Sequence, residues 1–225
     1  SAPAGIAIDP LGPVDAIPAL ATAQQLNIPV VVFDAPSPRA GITAVGNDFT
    51  EQGDLAAHRL AGLLNGAGVV AVMQGVPDAP NHRQRYEAQL AALAQYPGIT
   101  VVDGGVDHDD IDVAESQAAS VLHATADLRG YLACDASGPI GIARALVAAD
   151  RVGQVQVVGM DAIGPIAAAV ANGVLESSVA TIPRMQGAMA ILMLWQASLG
   201  LPLPRFVDTG IDIVTADNVG NFLDT

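Results

Sequence analysis

Asp34, Asp135 and Asp161 each follow a short apolar run that reads as a β-strand: Val30–Phe33, Tyr131–Cys134 and Val157–Met160. Asn81 and Arg85 stand four apart at the head of a helical stretch and so share one face of it. Carboxylates, an amide and a guanidinium held in fixed planes both donate and accept hydrogen bonds. That combination suits a polyhydroxylated ligand, because each hydroxyl is a donor and an acceptor at once. Any one strand-end Asp reads equally well as a cap on the helix that follows it. The three together, with Asn81 and Arg85, favour a binding site.

Other chemistries are weaker. Gly62–Gly68 reads GLLNGAG, but it ends a helix rather than opening one, so a helix C-cap and turn explains it. Gly104-Gly105 lacks the rest of a phosphate-binding fingerprint. The four histidines, His58, His82, His108 and His123, are scattered, and no metal site is expected. Asp107-His108-Asp109-Asp110 is the best metal candidate, yet a solvated loop whose acids favour a helix N-terminus is simpler. There is no G-x-S-x-G elbow. Cys134 ends a buried-looking strand, where a thiol is usually inert. No catalytic residue set and no cofactor fingerprint emerges.

The elements that must carry these groups alternate down the chain. Strands are expected at Gly5–Asp9, Pro29–Phe33, Ile42–Val45, Val69–Gln74, Thr100–Asp103, Gly130–Ala133, Val155–Gly159, Ser178–Thr181 and Phe206–Val214. Most are near-continuous apolar runs, as in parallel strands covered on both faces. On a helix starting near Thr50, Leu55, Ala56, Leu60, Leu63 and Leu64 lie on one face. Another repeats Val113, Ala114, Gln117, Ala118, Val121 and Leu122, and a third repeats Met185, Met189, Leu192 and Leu199. Pro10–Pro13 starts a helix, Pro36–Arg39 is an extended loop, and Gly200–Pro204 ends the last long helix. Gly75–Pro80 is a long loop at a strand's C-terminal end, where open α/β sheets bind ligands. The fold class is α/β with parallel sheets and right-handed crossovers.

Composition narrows the function. The 225 residues carry a formal net charge of −14; all nine basic residues are Arg, against 23 Asp and Glu. Such a chain has no basic footprint for nucleic acid or an anionic membrane. With 51% hydrophobic and 14% charged residues it should fold rather than remain disordered. No apolar run reaches the ~18–20 residues of a membrane span. The single Cys134 forms no internal disulfide, which fits a cytoplasmic protein or an exported one. A start at Ser1, without Met or signal peptide, reads as a mature or trimmed product.

Taken in order, several stretches resemble the periplasmic sugar-binding proteins of ABC transporters, the ribose- and galactose-binding type I family. They are GIAIDP at Gly5–Pro10, NIPVVVFDAP at Asn27–Pro36, and TAVGNDFTEQGDLAAHRLAGLL at Thr43–Leu64. Next come VVAVMQGVPDAPNHRQRYEAQLAAL at Val69–Leu93, YLACDASGPIGIARAL at Tyr131–Leu146 and VQVVGMDAIGPIAAAVANG at Val155–Gly173. ESSVATIPRMQGAMAI at Glu176–Ile191 and VTADNV at Val214–Val219 complete the set. The resemblance implies two α/β lobes joined by three crossings: 1–46 plus 182–209 as the first, 47–181 plus 210–225 as the second. It also implies sugar capture between the lobes, hinge closure, delivery to a membrane permease, and a periplasmic or extracellular setting.

By that likeness Asp34 matches the acid at the first lobe's edge. Asn81 and Arg85 match second-lobe groups that grip hydroxyls, and Asp135 stands where the family often has Asn. Asp161 matches the Asp of a Gly-Phe-Asp signature, written here Gly159-Met160-Asp161, and Thr181 stands where many members have Gln. His108 falls near an often aromatic position. Ala35 and Met160 depart from an Arg and a Phe, and aromatics are only 4% of the chain, so stacking on a sugar should be weak or the ligand a different polyol. Relative to the family, two N-terminal βα units, roughly 60 residues, have no counterpart. An incomplete first lobe implies either a trimmed form or a gap covered by another chain, with self-association as one outcome. The alternatives are the ligand-binding core of a lactose-repressor-like regulator and a sugar-modifying enzyme using the Asp cluster as acid and base.

Overall fold

The computed structural model describes residues 3–10, 17–36 and 42–223. The element order is β1 (Ile6–Ile8), α1 (Pro18–Gln25), β2 (Val30–Phe33), β3 (Thr43–Gly46), α2 (Phe49–Leu63), β4 (Ala67–Gln74), α3 (Pro80–Leu93), β5 (Gly98–Val106), α4 (Ile111–Ala124), β6 (Leu128–Ala133), α5 (Ser137–Ala148), β7 (Gln156–Met160), α6 (Gly164–Ala171), β8 (Ser177–Ala180), α7 (Pro183–Ser198), β9 (Phe206–Asp208) and β10 (Asp212–Thr215). The helix start expected at Leu11–Pro13 and the loop expected at Ser37–Arg39 lie outside the described residues. No described helix is long and apolar enough to cross a membrane.

The chain divides into two compact units. Unit one is Ser1–Asp48, Asp78–Asn81 and Thr181–Ile211; unit two is Phe49–Pro77, His82–Ala180 and Asp212–Thr225. Unit one holds a four-stranded parallel sheet in the order β1-β2-β3-β9. Strand alternation divides its core. Val30 and Val32 face a cluster with Leu20 and Ala23 of α1, whereas Val31 packs with Ala190 and Met193 of α7. A strand apolar at every position is therefore covered on both faces.

Unit two holds six strands in the order β10-β8-β7-β6-β4-β5. Five are parallel and β10 is antiparallel to β8. Ala71, Met73, Tyr131, Ala133 and Val157 meet Ala114 and Leu122 of α4, Ile142 and Leu146 of α5, and Ile166 and Val170 of α6. The Tyr131 hydroxyl, sealed in this core, donates to the Gly104 carbonyl at 2.7 Å. Helices α2 and α3 approach so closely that a Cβ on Gly53 would lie 2.4 Å from the Arg85 carbonyl oxygen and 2.7 Å from the Ala88 methyl.

Three expectations need correction. The strand expected over Phe206–Val214 is two strands in different sheets. Gly210 turns left-handed (φ +82°), and the Asp208 carboxylate accepts from its N–H at 2.9 Å, so β9 ends beside β3 and β10 begins in unit two. In α7 the buried face is Gln186, Ala190 and Met193, whereas Met185 and Leu192 are 41% and 37% exposed and Leu199 lies past the helix end. Ala188–Trp195 is apolar without a break, so it carries no period from which the inward face can be read. Helix α2 opens at Phe49, within one residue of the expected start, but the residues it buries are Phe49, Gln52, Gly53, Ala56, Ala57, Leu60 and Ala61, while Leu63 is 37% exposed.

Candidate functional site

Each unit carries part of the residue set singled out above. In unit one, Asp34 directly follows β2. Its backbone is left-handed (φ +48°), a conformation Asp tolerates, while its N–H donates to the Val45 carbonyl of β3 at 3.1 Å. The chain thus turns off the sheet with the carboxylate at the strand's C-terminal edge. Amides surround it. Asn81 Nδ2 donates to the Asp34 carbonyl at 3.1 Å and to its Oδ2 at 3.2 Å. Gln186 Nε2 donates to Asp34 Oδ1 at 3.3 Å and to Asn47 Oδ1 at 2.9 Å. Asn47 Nδ2 in turn donates to Thr209 Oγ1 at 3.2 Å and to the Gly210 carbonyl. Asn47, Asn81, Gln186 and Thr209 are all buried. Thr181, also buried, opens the stretch of unit one that leads into α7.

Asn81 lies in the short Asp78–Asn81 piece of unit one, and Arg85, one turn along the same helix, lies in unit two.

In unit two, Arg85 is 1% exposed. Its Nε donates to Gln52 Oε1 at 2.7 Å, its Nη1 reaches the Cys134 carbonyl at 3.4 Å, and its guanidinium carbon lies 5.0 Å from the centre of the Phe49 ring. Asp135 is also 1% exposed, and its Oδ1 accepts from the Gly138 N–H at 3.0 Å in the first turn of α5. The capping role open to any strand-end Asp is therefore real for Asp135. Asp161 repeats the backbone of Asp34: it directly follows β7, has φ +67°, and donates its N–H to Val179 of the neighbouring strand at 2.8 Å. The Ser178 hydroxyl donates to its carbonyl at 2.6 Å.

His82 joins these groups, and the scattered-histidine reading missed it. Its Nδ1 accepts from the Val76 N–H at 3.0 Å. Burial first, then the Arg85 charge, hold the imidazole down at about 4, against the opposing pull of Asp109 and Asp161. It is thus neutral at pH 7. Only its place next to the Gly75–Pro80 loop could have signalled it. The Asp107–Asp110 run also departs from a wholly solvated loop. Asp110 does cap α4, accepting from the Asp112 and Val113 N–H groups. Asp109 accepts from the Ser137 hydroxyl at 2.9 Å, and Asp107 is fully buried. His108 is exposed. Among the described residues no group of three or more His, Cys, Asp or Glu could hold a metal ion. Cys134 accepts from the Gly75 N–H at 3.1 Å, and burial pushes its thiol far up, so it stays protonated and unreactive.

The sequence matches the periplasmic binding protein domain family over residues 1–201, and the chain belongs to that family. It is 26% identical over 182 residues to the D-ribose/D-allose-binding protein of Pseudomonas aeruginosa, an alignment covering 79% of this chain and 57% of that protein. The chain thus spans a little over half the length of this curated relative. Among solved structures, the arabinose-binding protein AraP of Geobacillus stearothermophilus is 30% identical with a TM-score of 0.86, over 98% of this chain and 79% of that one. A solute-binding protein of an ABC transporter from Burkholderia graminis, in complex with D-arabinose, is 28% identical with a TM-score of 0.90, over 95% and 76% of the two chains.

Proposed function

We propose that this chain is the sugar- or polyol-binding component of an ABC importer, working in the periplasm or at the cell surface and handing its ligand unchanged to a membrane permease. Asp34, Asn81 and Thr181 from unit one and Arg85, Asp135 and Asp161 from unit two contact the ligand, and the two units act as the two lobes. The observation that carries this reading is a carboxylate held by amide donors at the end of β2, and a buried carboxylate and a buried guanidinium carried beside the end of β6. Such a set reads hydroxyl groups, which need both kinds of partner. Membership of the binding-protein family and likeness to proteins named for ribose, allose and arabinose support the same ligand class.

A thermal-shift screen of pentoses, hexoses and polyols, followed by calorimetry, tests it. A ligand at 100 times its Kd stabilises by about 2.7 kcal/mol. Incubated radiolabelled sugar should be recovered unaltered. If no neutral sugar or polyol shifts the transition, or if the recovered label is chemically changed, the proposal fails.

A further inference from the structure

The strand ends of unit two bring two carboxyl groups together in a way that hydroxyl recognition does not require. Asp107 follows β5 and Asp135 follows β6; they are 0% and 1% exposed. One oxygen of each is held by backbone: Asp107 Oδ1 accepts from the Asp109 N–H at 2.8 Å, and Asp135 Oδ1 from the Gly138 N–H at 3.0 Å. The other oxygen of each, Oδ2, is buried without a hydrogen-bond partner, and the two carboxyl groups lie close enough for each to perturb the other. Two glycines make the room. A Cβ on Gly138 would lie 2.9 Å from Asp135 Oδ1 and 3.1 Å from Asp107 Oδ2, and one on Gly75 would lie 2.9 Å from Asp135 Oδ2.

With no other donor aimed at either Oδ2, the pair can be linked only if one carboxyl carries a proton, because ionised carboxylates only accept. Two bare anions in contact and out of water repel, so one of them keeps its proton. We propose that Asp107 is a positioning residue for Asp135: the two hold one proton between them at neutral pH, so unit two presents a singly charged acid pair at this edge rather than two carboxylates. The idea deepens the ligand-site reading and depends on it only for the importance of Asp135 to binding.

The groups around the pair leave that proton in place. On α3, His82 is neutral and its Nδ1 is taken by the Val76 N–H, while the Arg85 guanidinium is engaged by Gln52 and the Cys134 carbonyl. On the loop after β5, Asp109 adds negative charge that raises both acids, and His108 acts in the opposite direction on Asp107. Just past β6, Cys134 stays a neutral thiol. Burial first, and the Asp107 charge next, push Asp135 up to about 9. An Asn at 135 would offer Asp107 a donor at every pH, since its amide carries no titratable proton.

The test uses the ligand-free chain, so its outcome is separate from whether any sugar binds. Carboxyl carbons of Asp are followed by 13C NMR from pH 5 to 10, alongside urea unfolding of wild type, Asp135→Asn and Asp107→Asn. In wild type one buried carboxyl should titrate near pH 9. Between pH 6 and 8 the wild-type unfolding constant should rise about tenfold per pH unit relative to either variant, because the folded state alone keeps that proton. Two variants guard against one failing to fold, and the wild-type titration needs neither. If every Asp carboxyl titrates below pH 6, or if a folded variant keeps the wild-type alkaline slope, the shared proton is overturned.

Discussion

Asp34 and Asp135 each follow the C-terminal end of a parallel strand, one in each unit, yet their surroundings are opposite in kind. Asp34 sits among neutral amides, and its two amide donors each have a second acceptor: Asn81 has the Asp34 carbonyl and Gln186 has Asn47. Asp135 lies among groups that carry or could carry charge: Asp107, Asp109, His82 and Arg85. The first arrangement can lose a bond without stranding a partner. The second is sealed from water, where an unpaired polar group is expensive. Unit two should therefore respond more steeply than unit one to substitution and to pH.

Arg85→Ala should have the largest effect. It removes a fully buried long side chain and strands Gln52 Oε1 and the Cys134 carbonyl. An unpaired buried acceptor costs about 1–3 kcal/mol, and the cavity adds to that. A loss of at least roughly 3 kcal/mol is expected in urea unfolding, with sugar binding abolished. A loss under about 1 kcal/mol would break the contrast between the units at its strongest point.

Next comes the acid limb. His82 is depressed from an ordinary value of 6.5 to about 4. Between those values the unfolded chain binds a proton that the folded chain refuses, so stability is present above pH 6.5 and is lost as pH falls toward 4. The full loss is about 3 kcal/mol at 1.36 kcal/mol per pH unit. His82→Gln should flatten that limb. An unchanged acid limb would mean that His82 gains its proton without opening the structure.

The sequence made one kind of information plain and hid another. Strand positions were legible because Val30–Phe33, Val69–Gln74 and Gly130–Ala133 are short apolar runs between turn residues, and burial on both sheet faces demands that composition. Asp34 and Asp161 were legible as the first polar residues after such runs. The partners of these acids were not. Gln186 lies 152 residues along the chain from Asp34, and Asp107 sits in a run of acids that composition alone marks as exposed. Such pairings depend on which strand ends are neighbours, and strand order was not written in any local pattern. Helix α7 misled for a related reason: an unbroken apolar stretch hides which face turns inward.

Asp34→Asn offers a smaller effect from unit one. Asn tolerates the left-handed backbone at this position, and it exchanges one acceptor for a donor facing Asn81 or Gln186. Because both amides keep another acceptor, the stability cost should be about 1 kcal/mol or less. Sugar affinity should fall about tenfold, the equivalent of 1.4 kcal/mol, through loss of a charged acceptor. Calorimetry and urea unfolding read the two quantities separately. A stability loss as large as that of Arg85→Ala would show that the amide network is as brittle as the buried one.

The smallest effect separates backbone from side chain where the two units are alike. Asp34 and Asp161 share a left-handed turn off the end of a strand, each bound to the neighbouring strand through its own N–H. Alanine in that conformation is penalised by roughly 1–2 kcal/mol, and glycine is not. Glycine is also more flexible in the unfolded chain, which offsets part of the difference. Asp161→Gly should therefore be more stable than Asp161→Ala by about 1 kcal/mol, and the same order should hold at Asp34. Neither residue leaves a carboxylate, so once stability is accounted for, both variants at a site should lose sugar affinity equally. Equal stabilities of Gly and Ala at Asp161, beside unequal ones at Asp34, would mean that the two strand ends share a conformation without sharing what enforces it.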